Sequence, residues 1–414
     1  MLVSAACTGD RAETPAPSGS ASAATATSLP GRLLVKDANG NLVTLRPDGT
    51  DLVMLAEQAP EALQVLQATW APDGTRVAWA QLTAAADTVS PQLVTSGPRG
   101  EDQLETQMPV APFYLSWDPT SSRIAFLGPA GDRFQMGVVE QPQPAGSPVS
   151  ALARGAPFYF SWGPDGDRML VHVGRDRLDE LHLDGTATVV DPRPGDFQAP
   201  VWSVDGTTFV YAVRGADAQD QRLVVRRAGG GAARVIATPR GSLSFVVSPD
   251  GRRVAYQALG PNERDLFDRE LALRATDVGV TVVDTRTGET VKVTTGPAVS
   301  FSWSPTGERL AVLEPIYRPT GQIYFRWDVW DGDHEFLTGG FVPSLSLLSE
   351  YAPFFSQYAQ SSTIWAPDGS AFAYPANSSS GPPIVWVQPA DGSAEAYPVG
   401  QGSFVAWSPD AASG

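Results

Sequence analysis

The chain has 414 residues, with 29 Lys and Arg against 45 Asp and Glu for a net charge of −16, and 42% of its residues are hydrophobic. A surface this acidic, with no basic stripe along it, excludes a nucleic-acid backbone as partner. Apolar runs of strand length exclude a membrane-spanning helix after the N-terminus, and a single cysteine excludes a disulfide framework.

In chain order, the first segment is Met1-Leu2-Val3-Ser4-Ala5-Ala6-Cys7, followed from Thr8 to Pro30 by an Ala/Ser/Thr/Pro-rich stretch with neither helix nor strand period. Small residues ahead of a lone Cys and a spacer behind it resemble a bacterial lipobox. The resemblance implies lipid attachment at Cys7 and an extracytoplasmic protein held to the cell envelope, or a secreted one. The plainer alternative is a disordered tail with an incidental cysteine.

From residue 31 the chain repeats itself. Eight times an apolar or aromatic run leads into a Pro-Asp-Gly-like turn: Trp70-Ala71-Pro72-Asp73-Gly74, Trp117-Asp118-Pro119-Thr120, Trp162-Gly163-Pro164-Asp165-Gly166, Trp202-Ser203-Val204-Asp205-Gly206, Val247-Ser248-Pro249-Asp250-Gly251, Trp303-Ser304-Pro305-Thr306-Gly307, Trp365-Ala366-Pro367-Asp368-Gly369 and Trp407-Ser408-Pro409-Asp410. Pro pre-sets the first turn position, Asp accepts from the backbone two residues on, and Gly takes positive φ, so each copy is a hairpin corner. Strand-forming runs follow, such as Arg76-Val77-Ala78-Trp79 and Arg309-Leu310-Ala311-Val312. Two further strands per copy complete a four-stranded meander, A to D. Copies about 40 to 60 residues apart, each with several short strands, predict the blades of a β-propeller.

The ends are complementary. Leu33-Leu34-Val35, Leu42 to Leu45 and Leu52 to Leu55 supply strands B, C and D with no Trp phrase ahead of them, while the last copy supplies only strand A, Ser403 to Trp407. Pairing them predicts one all-β domain over residues 31–410, a closed eight-bladed propeller of four-stranded antiparallel blades, with residues 1–30 as leader and tether and 411–414 as a tail. The Trp-Ser/Ala-Pro-Asp-Gly phrase and the Val/Ile-Ala-aromatic strand behind it resemble the PD40 repeat of TolB-like propellers, found also in prolyl-oligopeptidase-type peptidases. Val247 departs from the pattern at the Trp, and Thr120 and Thr306 at the Asp. The resemblance implies a scaffold, and a scaffold leaves function to the site it carries.

In such a meander the A–B and C–D turns share one face, and the B–C and D–A connections share the other. Length variation concentrates on the second face: Gln257 to Val278 and Glu314 to Gln322 read as long B–C loops, Arg214 to Gln221 as a shorter one, and Thr338 to Ser361 as a D–A insertion. Within that insertion Leu347, Leu348, Tyr351, Phe354, Phe355 and Tyr358 recur at helical spacing, with Pro353 placed to open a second turn. They read either as a helical cover packed on the blades or as an exposed recognition patch, with Tyr317 and Arg318 beside it. Charged residues around Leu266 and Phe267 read as a short amphipathic helix with a solvated face. On the inner strands, alternation sets Phe113, Leu115 and Trp117 toward inter-blade packing and Tyr114 and Ser116 to the other side, with Tyr114 and Tyr159 near the channel mouth.

Chemistry is sparse. His172, His182 and His334 lack zinc spacing, although the first two fall on neighbouring strands of one blade. Asp328 to Glu335 is carboxylate-rich but lacks calcium-loop spacing, and reads as a solvated C–D turn. No nucleophile elbow or phosphate loop occurs. The sequence therefore predicts no metal and no cofactor, and a monomeric, non-catalytic binding propeller. It would meet a protein, peptide or glycan through its B–C/D–A face, at Tyr317, Arg318, Tyr351, Phe354, Phe355 and Tyr358, and meet membrane only through an anchor at Cys7. The alternative is a propeller lyase or hydrolase working at the channel mouth, which some TolB-like propellers are.

Overall fold

The computed structural model describes residues 29–59, 63–85, 88–143, 148–156, 158–174, 177–195, 198–217, 220–260 and 278–409. Cys7, its spacer and the charged segment around Leu266 lie outside them. Eight antiparallel sheets form the blades, numbered here 1 to 8 from the N-terminus. Blades 2 to 7 are consecutive meanders with inner strands Leu63–Trp70, Tyr114–Trp117, Phe158–Trp162, Val201–Trp202, Ser242–Val247 and Ser300–Trp303. Blade 8 has three full strands, Ala371–Ala376, Ile384–Pro389 and Tyr397–Gln401, and a Trp365–Phe372 bridge supplies the inner position.

Blade 1 closes the ring as the complementary ends predict. Leu33, Leu34, Val35 and Lys36 pair with Trp407, Ala406, Val405 and Phe404. Trp407 donates its indole N–H to the Pro30 carbonyl at 2.9 Å, and the Arg32 and Ser408 backbones bond across the seam. Leu33 and Trp407 lie at the A–B-turn end of this seam and Lys36 and Phe404 at the other, so the described chain both enters and leaves on the A–B-turn face.

The repeated phrase acts at two places in each blade. At the turn, the Asp carboxylate accepts the backbone N–H two residues on at Asp73, Asp205, Asp250 and Asp368, and the following Gly sits near φ +70°. Where Thr306 replaces Asp, its hydroxyl takes the same bond at 3.4 Å. Ahead of the turn, the Trp joins neighbouring blades. The indole N–H groups of Trp70, Trp162, Trp303 and Trp365 reach the carbonyls of Ala406, Ser116, Val246 and Ser302, each on the inner strand of the preceding blade. The Arg that opens strand B works in the opposite direction, with Arg123, Arg253 and Arg309 donating to the turn Gly carbonyls of the next blade, at Gly166, Gly307 and Gly369. Alternate strand residues fill the spaces between sheets, as in the cluster of Val246, Ala255, Phe301, Trp303 and Val312 between blades 6 and 7.

Three expectations change. Glu314 to Tyr317 is strand, paired with Ile323 to Arg326, so the predicted loop shrinks to a turn at the end of a long hairpin arm. Phe113 precedes its strand and is 41% exposed, resting edge-on against Phe134 at 5.0 Å rather than packing between blades. Asp328 lies on strand C, not in the turn, and is buried. Only Asp331 to His334 makes the turn, where the Asp331 carboxylate accepts the backbone N–H groups of Asp333 and His334.

Candidate functional site

The insertion after blade 7 folds into a π-helical turn Leu347–Tyr351, a 3-10 turn Ala352–Phe354 opened by Pro353, and a one-turn helix Phe355–Tyr358. It covers part of the channel mouth on the B–C/D–A face. Inner strands present alternate N–H and C=O groups to the channel, because only every second residue exchanges bonds with strand B. The insertion supplies partners for several of them. The Gln357 carboxamide accepts the Phe160 N–H at 3.0 Å and donates to the Phe160 carbonyl at 2.9 Å. The Tyr114 hydroxyl donates to the Gln357 carbonyl, Ser356 to the Gln198 side chain, and Thr69 to the Ser361 carbonyl. Phe355 packs on Phe301 at 4.7 Å, and Tyr358 stands between Tyr114 and Tyr351 at 5.5 and 5.6 Å. Phe355 also packs in one cluster with Val246 of blade 6, so blades 2 to 7 all touch this one insertion.

Beside this plug the mouth opens into a cavity of about 830 Å³. Its floor and walls come from blades 1, 2, 3, 4, 7 and 8, among them Leu42, Leu66, Phe134, Phe158, Trp327 and Tyr374, and the remaining wall is the plug, through Leu347, Tyr351, Phe354 and Tyr358. Phe113 and the 47%-exposed Phe354 stand at the rim. Burial pushes the phenols of Tyr114 and Tyr159 up to about 12, and moves those of Tyr351, Tyr358 and Tyr374 upward as well. The aromatic wall is therefore uncharged across the physiological range.

Charge enters the cavity at Lys36 and at the exposed Glu350. Lys36 is half-buried and donates to the Val65 carbonyl at 2.9 Å; burial holds its ammonium below the usual lysine range, with Glu350 acting weakly against the shift. Val65 begins a β-bulge. Val65 pairs with Gln81 and Ala68 with Trp79, which leaves Leu66 and Gln67 opposite Ala80 alone. Among the described residues this is the one register shift between an A and a B strand, whereas those of blades 1, 3, 4, 5 and 8 fall between C and D. Bulges re-aim side chains. Here Leu66 and Gln67 both line the cavity, and both polar atoms of the Gln67 carboxamide are buried without a hydrogen-bond partner.

Of the residues singled out in the sequence, Tyr351, Phe354 and Tyr358 line this cavity and Phe355 is sealed behind them. Tyr317 and Arg318 lie apart, at the end of the blade 7 hairpin, where the Arg318 guanidinium stacks on Tyr324 at 5.6 Å. Cys7 lies outside the described residues. His172 and His182 do not meet: His172 pairs with Leu178 and His182 with Arg168. Among the described residues no three His, Cys, Asp or Glu side chains gather as metal ligands. Lys36, Gln64 and Gln67 escaped sequence reasoning because nothing in the phrase marks them. The one available signal was the one-residue excess in Leu63 to Trp70, visible only once the register is known.

No family model matches the chain, and no curated protein matches it. Solved structures share its architecture. A eukaryotic initiation factor aligns with a TM-score of 0.55 and 11% identity over 92% of this chain and 99% of that one. A prolyl endopeptidase aligns at 0.53 and 13% identity over 86% of this chain and 51% of that one. TolB from Acinetobacter baumannii aligns at 0.42 and 15% identity over 81% and 83% of the two chains. The likeness to the first two is one of fold. At such identities a shared propeller carries no activity from one chain to another.

Proposed function

We propose that the chain is a non-catalytic binding propeller that takes its ligand on the B–C/D–A face, in the cavity beside the plug. The observation that carries this reading is the cavity itself: about 830 Å³, walled mostly by neutral aromatic and aliphatic groups, with a few amides, the Lys36 ammonium and the Glu350 carboxylate as its polar groups. Small-molecule sites are built this way, mostly apolar with sparse polar anchors. An apolar ligand body, or an apolar side chain of a partner, suits such walls better than a glycan. Envelope anchoring at Cys7 belongs to the same proposal, since a tethered propeller would carry its site into the extracytoplasmic space.

The test is a ligand-observed screen of apolar fragments against the wild-type chain and Gln64→Trp. Gln64 is exposed at the cavity wall, so the indole narrows the entrance at little cost to folding. Binding that disappears in Gln64→Trp while the melting temperature holds supports the cavity. Fragments that bind both proteins equally place the site elsewhere.

A further inference from the structure

Resting on the cavity as the ligand site, we infer that its ligand is a small amphipathic carboxylate, whose acid head is held by Lys36 and Gln67 and whose apolar body lies along Phe134 and the plug. Three independent features converge on this class.

The first is the ammonium. Among the described residues no carboxylate lies within ion-pair distance of Lys36, although Glu350 acts on it from farther off, and its side chain makes a single protein bond, to the Val65 carbonyl. An ammonium has three donors. Two remain for a guest, on a charge that is half out of water and stands to gain from an anion.

The second is the bulge. It places the Val65 carbonyl that fixes Lys36 and the unpartnered Gln67 carboxamide within one three-residue step of the inner strand. The amide atoms have no surface on the cavity in this conformation, so a guest reaches them only by a turn of the side chain. Because a buried amide with neither bond made is costly, a carboxylate oxygen left over by the lysine favours that turn. A second cation, which a phosphate or other dianion would call for, does not line the cavity.

The third is the wall. Neutral tyrosines and phenylalanines accept an alkyl or aryl body of the size that an 830 Å³ cavity admits. The chain as a whole carries −16, so long-range electrostatics favour a cation. Selection of an anion is therefore a local signature that non-specific binding to this surface does not imitate.

The experiment is calorimetric titration of the full chain with dodecanoate, 1-dodecanol and dodecyltrimethylammonium, which share a tail and differ in head charge. Dodecanoate is expected to bind roughly tenfold tighter than dodecanol, the least that a charge-assisted bond adds, and the ammonium no tighter than dodecanol. Lys36→Met should bring dodecanoate to the level of dodecanol and leave dodecanol unchanged. Gln67→Glu, which keeps the Lys36–Val65 bond, should weaken dodecanoate alone and so serves if Lys36→Met folds poorly. Dodecanol or the ammonium binding as tightly as dodecanoate, or an unchanged preference in both variants, overturns the carboxylate assignment while leaving the cavity a ligand site. Saturable binding of none of the three overturns the site reading as well.

Discussion

The Gln357 side chain bonds both the N–H and the carbonyl of Phe160, occupying the place that a further β-strand residue would take on the inner edge of blade 4. A single amide thus docks the plug to the sheet. Loss of that amide leaves two buried backbone groups without partners and removes the N–H that the Tyr114 hydroxyl accepts at 2.9 Å, while the hydroxyl keeps its bond to the Gln357 backbone carbonyl. The cost is about 1–3 kcal/mol for each group that water cannot reach. Gln357→Leu should lower unfolding stability by about 2–4 kcal/mol on that scale, measured by urea titration. Gln357→Glu should also be destabilised at neutral pH, because a carboxylate cannot donate to the Phe160 carbonyl. A loss below about 0.5 kcal/mol, the range of ordinary surface changes, would show that the plug is held by other contacts.

Phe354 and Phe355 are chain neighbours with opposite surroundings. Phe355 is 7% exposed against Phe301 whereas Phe354 is 47% exposed at the cavity rim. Phe355→Ala should cost about 3–5 kcal/mol, as for a buried aromatic. Phe354→Ala should leave the melting temperature nearly unchanged and weaken any ligand of the cavity. Reversed effects would mean that the plug sits differently in solution.

The indole N–H can be separated from the indole ring. Trp202 and Trp303 both lie beneath an Arg guanidinium at 4.7 Å, but Trp303 donates to Val246 while the Trp202 N–H is buried without a partner. Trp303→Phe should therefore cost about 1 kcal/mol more than Trp202→Phe, the net value of one hydrogen bond, by parallel chemical denaturation. Equal costs would remove the inter-blade hydrogen bond from the account of ring stability.

Asp328 sets a pH dependence. Burial first, then Glu335 and Glu314, raises its carboxyl to about 8, and one of its oxygens has no partner. A folded pKa above the unfolded one means that the native state binds the extra proton. Its stabilising effect is complete below about pH 4, near the unfolded value, and is lost as pH rises toward 8. Asp328→Asn should flatten that decline and melt above wild type at pH 8–9. Parallel melting curves for the two proteins from pH 5 to 9 would refute the assignment.

The ring was legible from the chain because its determinants are local. Pro-Asp-Gly makes a corner by its own backbone chemistry, and a strand A without a blade can be matched to a blade without a strand A. The Trp was visible as a marker, but its hydrogen bond to the preceding blade was not, since that bond spans the space between two units. The site was legible only in part. Helical spacing found the plug's aromatics, yet which of them face the cavity depends on how the plug meets several inner strands at once. Lys36 and Gln67 were unreadable for the same reason. One ends a blade 1 strand and the other sits in a blade 2 bulge, and neither spacing nor residue type joins them.

Leu33 and Trp407 meet at the end of the closing seam remote from the cavity, and this gives the molecule a polarity. A linker, label or solid support joined at either end of the described chain leaves the ligand entrance facing the solvent. Should Cys7 carry lipid, the chain would leave the propeller toward that anchor from the face opposite the plugged mouth, so the attachment itself would not cover the ligand entrance.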